Sequence, residues 1–182
     1  MTTTTEPLTL ADYAAWVDPD EGYTTELVRG RVVREPRPAR PHGRLQVRIG
    51  RLLAEWVEGH GRGEVTSESG YVLSEEPATV RGPDVAVSLS PSDADVGGWT
   101  HGPPEVAVEI SSPSDTSSAM QAKVLDYLQA GTSLVWIVDP SARTVTVYRP
   151  DGSAALLREG DVLAGEDVLP GFSVSLADLF DA

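Results

Sequence analysis

Three carboxylates stand where strands are expected: Glu26 in a hairpin, Asp84 opening a short apolar strand, and Glu109 inside Glu105-Val-Ala-Val-Glu-Ile110. In that last strand Val106, Val108 and Ile110 alternate on one face, and Ala107 lies between Glu105 and Glu109 on the other. An ionised carboxylate inside a sheet is costly unless it is paired, hydrogen-bonded or bound to a metal. Downstream stands Lys123, the one lysine among fourteen cations. Oxygen donors without cysteine suit a hard divalent cation, Mg2+ or Mn2+, which takes one or two carboxylates and leaves room for water and a substrate phosphate. Asp84 and Glu109 supply that pair if their strands are neighbours. Lys123 then holds the attacking water or neutralises the developing negative charge. The chemistry this describes is metal-assisted phosphodiester hydrolysis.

Each residue also has a plainer reading. Asp84 follows Pro83 and suits a turn cap. Glu109 suits a structural ion pair with an arginine. Lys123 can snorkel to water from the edge of its helix, and Glu26 can pair on the surface with Arg29. Glu105 is expected at the solvated strand end.

The elements that must position these groups can be read in order. Leu8 to Val17 reads as a short helix, with Thr9 as N-cap and Asp12 three residues on. The loop Asp18-Pro-Asp-Glu-Gly22 follows, then a hairpin of Thr24–Arg29 and Arg31–Glu35 about Gly30. Pro36 to Pro41 is expected to be extended. A second helix runs from His42 to Val57 with Leu45, Ile49, Leu52, Leu53 and Trp56 as its apolar stripe, and Gly59 ends it. Strands are expected at 64–68, 71–74 and 84–89, and a loop rich in Ser, Asp, Gly and Pro at 90–104. The third helix spans Ser117 to Ala130, with Asp115 as its cap and Gly131 as its end. On it Lys123 lies about 60° from Met120 and about 40° from Tyr127, at the edge of the apolar stripe, so it can point toward the sheet. Leu134–Val138 and Thr144–Tyr148 make two more strands, 150–175 irregular β structure, and Leu176–Phe180 a terminal helical turn. Trp16, Trp56 and Trp136 are expected in the core. The order predicts an α+β fold, a curved mixed sheet with helices against it.

At 182 residues, the chain is expected to form one domain with residues 1–6 flexible. It has no cysteine, which excludes disulfides and thiolate chemistry, and no apolar run long enough to span a membrane. The opening residues lack the pattern of a signal peptide, so a cytoplasmic protein is expected. The net charge is −14, yet Arg29, Arg31, Arg34, Arg37, Arg40, Arg44, Arg48 and Arg51 are opposed between 29 and 51 by Glu35 alone. Either this stretch is a basic surface that meets phosphates, or its arginines neutralise nearby carboxylates.

These residues also carry a resemblance. Gly82-Pro-Asp84-Val-Ala-Val, Val108-Glu109-Ile-Ser-Ser-Pro-Ser, Lys123-x-x-x-Tyr127-x-x-x-Gly131 and Trp136-Ile-Val-Asp-Pro140, in that order, resemble the Uma-two-like, restriction-endonuclease-like family of the PD-(D/E)XK nuclease superfamily. The resemblance runs from Glu26 to Leu169-Pro-Gly171 and Leu176-x-x-Leu179-Phe180. It implies a restriction-endonuclease-like core and a metal-dependent nuclease with Asp84 and Glu109 as acidic ligands. The lysine expected two residues after the second acid is Ser111 here, and Lys123 from the following helix looks like its substitute. Glu26 resembles the family's early glutamate, with a supporting role at the metal. His42 resembles its histidine at the head of the second helix, placed to meet the scissile phosphate or the metal's water shell.

Two readings from different classes follow. The first is a Mg2+- or Mn2+-dependent endonuclease acting on DNA, with Arg40, Arg44 and Arg48 on the phosphate backbone. A homodimer would let such an enzyme cut two strands, although no seam for one is visible. The second is an inactive protein of the same fold that binds DNA or serves as a scaffold. A hydrolase of another phosphoester is a third.

Overall fold

The computed structural model describes residues 6–18, 22–90 and 96–181. The first half contains α1 (Leu10–Ala14), β1 (Tyr23–Val28), β2 (Arg31–Pro36), α2 (Arg40–His60), β3 (Glu64–Thr66), β4 (Tyr71–Glu75) and β5 (Ala78–Arg81). Then come β6 (Val85–Ser88), β7 (Thr100–His101), β8 (Val106–Ile110), α3 (Ser117–Ala130), β9 (Leu134–Asp139) and β10 (Thr144–Tyr148). The chain ends with β11 (Ala154–Leu157), β12 (Val162–Ala164), β13 (Ser173–Ser175) and α4 (Leu176–Phe180).

The fold is α+β, as expected, but its strands divide into separate sheets. Five strands take the order β2-β1-β5-β4-β7, six take β11-β10-β9-β8-β6-β3, and β12 pairs with β13. Both main sheets are mixed: β4–β7 and β8–β9 run parallel, and the other neighbours antiparallel. Joining parallel β8 to β9 requires a crossover, and α3 is that crossover helix.

The alternation in β8 sorts its side chains to two cores. Val106, Val108 and Ile110 pack with Val85, Val87 and the α2 residues Leu45, Ile49, Leu53 and Trp56, a core closed by Leu176 and Leu179 of α4. Ala107 faces the other way and packs with Val135 and with Val124 and Tyr127 of α3. Leu73 of β4 also reaches this second cluster, so α3 lies between the two main sheets. A third cluster joins Tyr13 of α1 to Leu27, Val72 and Val80.

Several boundaries differ from the sequence reading, each for a physical reason. α1 is shorter than expected, though Thr9 and Asp12 do form the reciprocal capping box. Residues 40 and 41 are helical rather than extended: Pro41 sits in the first turn, where a missing N–H costs nothing. Gly59 does not end α2. Gly61 does, at φ +66, and His60 stays helical with its Nδ1 bonded to the Trp56 carbonyl at 2.7 Å. β5 was not expected, because four residues between Pro77 and Gly82 are too short for a visible period. The third helix is capped by Thr116, whose Oγ1 accepts from Ala119 N at 3.1 Å, while Asp115 accepts from Ser112 N instead. Trp16 is 39% exposed, unlike Trp56 and Trp136 in the core. Glu105 lies just before β8 and accepts from Leu89 N at 2.8 Å. Residues 1–5, 19–21 and 91–95, which carry the expected flexible start and parts of two expected loops, lie outside the described residues.

Candidate active site

β6 and β8 are antiparallel neighbours, with Val85 opposite Val108. One further step of that register sets Asp84 against Glu109, and Asp84 Oδ2 accepts from Ile110 N at 2.6 Å. The condition placed on these two acids, that their strands be adjacent, is met. Both are buried, Asp84 at 8% and Glu109 at 3% exposure. They open into a cavity of about 450 Å³ whose wall also includes Glu35, Arg37, His42, Glu68, Asp115 and Lys123.

Two clusters divide this cavity. The first surrounds Lys123. Its ammonium donates to Glu109 Oε2 at 2.9 Å and to Glu35 at 3.0 Å, and lies 3.9 Å from Glu26 Oε2. Tyr127, one helical turn beyond Lys123, donates to the other oxygen of Glu109 at 2.8 Å. Burial alone would lower the Lys123 pKa, but Glu109, Glu26 and Glu35 outweigh it and raise it, so the ammonium stays charged. Burial, then the charge of Glu109, pushes the Tyr127 phenol well up, and it remains a donor.

Behind this cluster stands a buried ion network. Arg81 donates to Glu26 Oε2 at 2.6 Å and, through Nε and Nη2, to Asp126 Oδ2 at 3.1 and 2.7 Å. Glu26 Oε1 accepts from Gly82 N at 2.9 Å. Asp126 also receives Arg29 at 3.0 Å. The Arg81 guanidinium fixes α3 against β1 and β5, and so fixes the direction in which Lys123 points.

The second cluster is His42, Glu68 and Asp84. One donor atom from each lies within 4.8 Å of the other two, a group able to hold a metal ion. His42, in the first turn of α2, bonds Asp84 Oδ1 through Nε2 at 2.8 Å, while its buried Nδ1 has no hydrogen-bond partner. Gln46, one turn along α2, donates to Glu68 Oε1 at 2.9 Å and to the Asp84 carbonyl at 3.0 Å. Burial opposes a charged His42, yet the Asp84 hydrogen bond and the negative charges of Asp84, Glu68 and Asp115 raise its pKa overall. Burial and then Asp84 raise that of Glu68.

Charge gives the test of fit. Together the clusters and network hold six carboxylates, on Glu26, Glu35, Glu68, Asp84, Glu109 and Asp126, against three permanent cations, Arg29, Arg81 and Lys123. Arg37 and Asp115, also on the wall, cancel in this count. Formally three negative charges are left over, and burial raises the pKa of Glu35, Glu68 and Glu109, the last to about 8, so these acids hold protons unless a further cation joins them; with His42 beside them the donor set suits a divalent cation.

The expected site residues are thus placed as follows. Asp84, Glu109, Lys123 and His42 face one cavity. Glu26 stands behind Lys123, its oxygens taken by Arg81 and Gly82. Arg40, Arg44 and Arg48 lie with Val47 and Arg51 on one open face of α2. The neutralising reading of the basic stretch holds for Arg29, Arg34 and Arg51, which pair with Asp126, Asp18 and Glu55. The sequence reading missed Glu35, Glu68 and Arg81. It quoted Tyr127 without giving it a role, although the four-residue spacing from Lys123 places both on one helix face.

Acids at adjacent strand ends, with a lysine from the crossover helix beside them, define the class: a restriction-endonuclease-like fold. The chain resembles the crystal structure of "a putative nuclease belonging to DUF820 from Anabaena variabilis ATCC 29413", with a TM-score of 0.81 and 22% identity over 96% of this chain and 98% of that one. No curated protein matches the chain in sequence. Residues 10–177 match the family described as "Uma2: Putative restriction endonuclease", and the chain belongs to that family.

Proposed function

We propose that the protein is a divalent-metal-dependent endonuclease that hydrolyses phosphodiester bonds of DNA, acting as a single domain. The observation that carries this reading is the 450 Å³ cavity in which Asp84, Glu109, His42, Glu68 and Lys123 converge with more carboxylates than cations. Magnesium or manganese bound there would stabilise negative charge on the phosphate and on the leaving oxygen. Asp84, anchored by Ile110 N, is the donor best placed to hold it. The residues around it have separable tasks. Lys123 presents a permanent positive charge to the phosphorane-like transition state as water forms one P–O bond and the ester P–O bond breaks. Glu109, itself bonded by Tyr127, and Glu35 hold that ammonium in place, and Glu26 lies behind it. The arginine face of α2, Arg40, Arg44 and Arg48, starts at the end of the helix where His42 enters the cavity, and offers the phosphate backbone positive charge next to the site.

The decisive assay is incubation with supercoiled, linear duplex and single-stranded DNA plus manganese. Cleavage that stops with chelator and is lost in Asp84→Asn is the expected result. No chelator-sensitive cleavage of any form, with DNA bound all the same, would leave the scaffold reading in its place. Affinity should also fall steeply with salt. Arg40→Ala and Arg48→Ala should each flatten the log–log slope by about 0.9, and an unchanged slope would take the arginine face of α2 out of the interface.

A further inference from the structure

Resting on the reading of the cavity as a DNA site, we propose that a hydroxyl-lined pocket beside it takes one unpaired nucleobase next to the scissile phosphate. The strand that enters is then single-stranded or locally unpaired DNA.

The pocket follows from how the six-stranded sheet is covered. Successive side chains of a strand point to opposite faces. Along β10 this sends Val145 and Val147 into the core that contains α2, and puts Thr144, Thr146 and Tyr148 on the other face. There they stand opposite Asp139, Ile137 and Val135 of β9, on the side of the sheet against which α3 packs. α3 seals Val135, which is fully buried, but Ile137, Asp139, Thr144, Thr146 and Tyr148 are only half-buried. Between this shelf and the first two turns of α3 lies a pocket of about 330 Å³. Ser112, Asp115 and Met120 belong both to its wall and to that of the 450 Å³ cavity, so the two are immediate neighbours.

The lining suits a base and not a phosphate. Among the described residues it has no lysine or arginine and two carboxylates, Asp115 and Asp139, so a phosphate would meet only like charge. Neutral hydrogen-bonding groups are plentiful instead. Thr144, Thr146, Tyr148 and Gln121 all line the pocket, and their side chains have no hydrogen-bond partner among the described residues. Met120, Ile137 and the Tyr148 ring supply the apolar surface on which a base stacks. Positive charge for the backbone lies outside the pocket, at Lys123 and on the arginine face of α2. A nucleotide whose phosphate sits in the cavity can therefore place its base in the neighbouring pocket.

A base in an intact duplex is paired and stacked, and it enters such a pocket only by leaving the helix, at an energetic cost. The pocket thus selects DNA in which the base next to the cut is already free: a single strand, a flap or a bubble.

The test uses the full chain at low salt with chelator present, so that DNA is bound but uncut. An oligonucleotide carrying one 5-iodouracil is irradiated as a single strand, as a flap and as a full duplex, and the crosslinked peptide is read by mass spectrometry. Tyr148 should be crosslinked in the single strand and the flap, with the duplex yield at least about tenfold lower. Tyr148→Ala should weaken single-strand binding about tenfold, the usual loss of one stacked base, and Tyr148→Phe should keep most of it. Thr146→Val, close in shape, should weaken single-strand binding about threefold and leave both duplex binding and melting temperature unchanged. If Tyr148→Ala does not fold, the crosslink and Thr146→Val decide alone. Equal crosslinking in the duplex would overturn the proposal, as would crosslinks confined to residues outside the pocket. So would single-strand binding that neither Tyr148→Ala nor Thr146→Val weakens. A Tyr148 crosslink in a protein that cuts no DNA would sink the endonuclease reading and leave the pocket standing. Cleavage of duplex DNA without that crosslink would do the reverse.

Discussion

Arg81→Met should cost about 3–5 kcal/mol of folding stability, read as a lower urea midpoint with an unchanged slope. Arg81 is 4% exposed and is the one cation that touches both Glu26 and Asp126. Without it Glu26 keeps a backbone N–H and a lysine 3.9 Å away, and Asp126 keeps Arg29. Those remnants are weak substitutes, since the Arg29 side chain is 58% exposed. For the same reason Arg29→Ala should cost less than about 1 kcal/mol. Adding Glu26→Gln and Asp126→Asn to Arg81→Met should restore much of the loss, because the cost comes from stranded charge rather than from lost volume. A triple variant no more stable than Arg81→Met would mean that the guanidinium acts by packing, and its role as the fastening between α3 and the five-stranded sheet would have to be abandoned.

Arg81 also shows where reading from sequence stops. It lies on β5, a strand of four residues, and the sequence offers no period by which so short a strand declares itself. Its partners are 45 and 55 residues away. Glu68 is a similar case: it sits in the loop between β3 and β4 at φ +54 and meets His42 and Asp84 through tertiary structure alone. By contrast, Glu109 announced itself. A charged residue on the strict alternation of β8 had to face either water or a partner, and the same alternation correctly sent Val106, Val108 and Ile110 to one core and Ala107 to another. Lys123 was legible because helical spacing ties it to Val124 and Tyr127, both buried against β8 and β9. Local periodicity therefore located one strand and one helix face of the site. What it could not supply was the adjacency of β6 and β8, the partition of the strands into two sheets, or the acids that arrive from loops and strand ends. The arginine-rich stretch was ambiguous for a related reason, because whether an arginine meets a carboxylate depends on what the fold brings opposite.

Lys123→Met should lower the cleavage rate by about 100- to 1,000-fold, the usual effect of removing one charge-stabilising donor. It should also lower stability, because Glu109, Glu35 and Glu26 lose the cation that lies among them. The two effects can be separated. Glu35 is part-exposed and its side chain lines the cavity, so Glu35→Gln removes one of the stranded charges without opening a void. In the double variant Lys123→Met, Glu35→Gln, melting temperature should recover part of the way toward the wild type while the rate stays low. Divalent ions should raise the melting temperature of Lys123→Met more than that of the wild type, through binding to the native state alone. If rate and stability instead recover together in the double variant, Lys123 holds the fold and does not act on the phosphate. The positive charge in the transition state would then have to come from the bound metal and the arginines of α2.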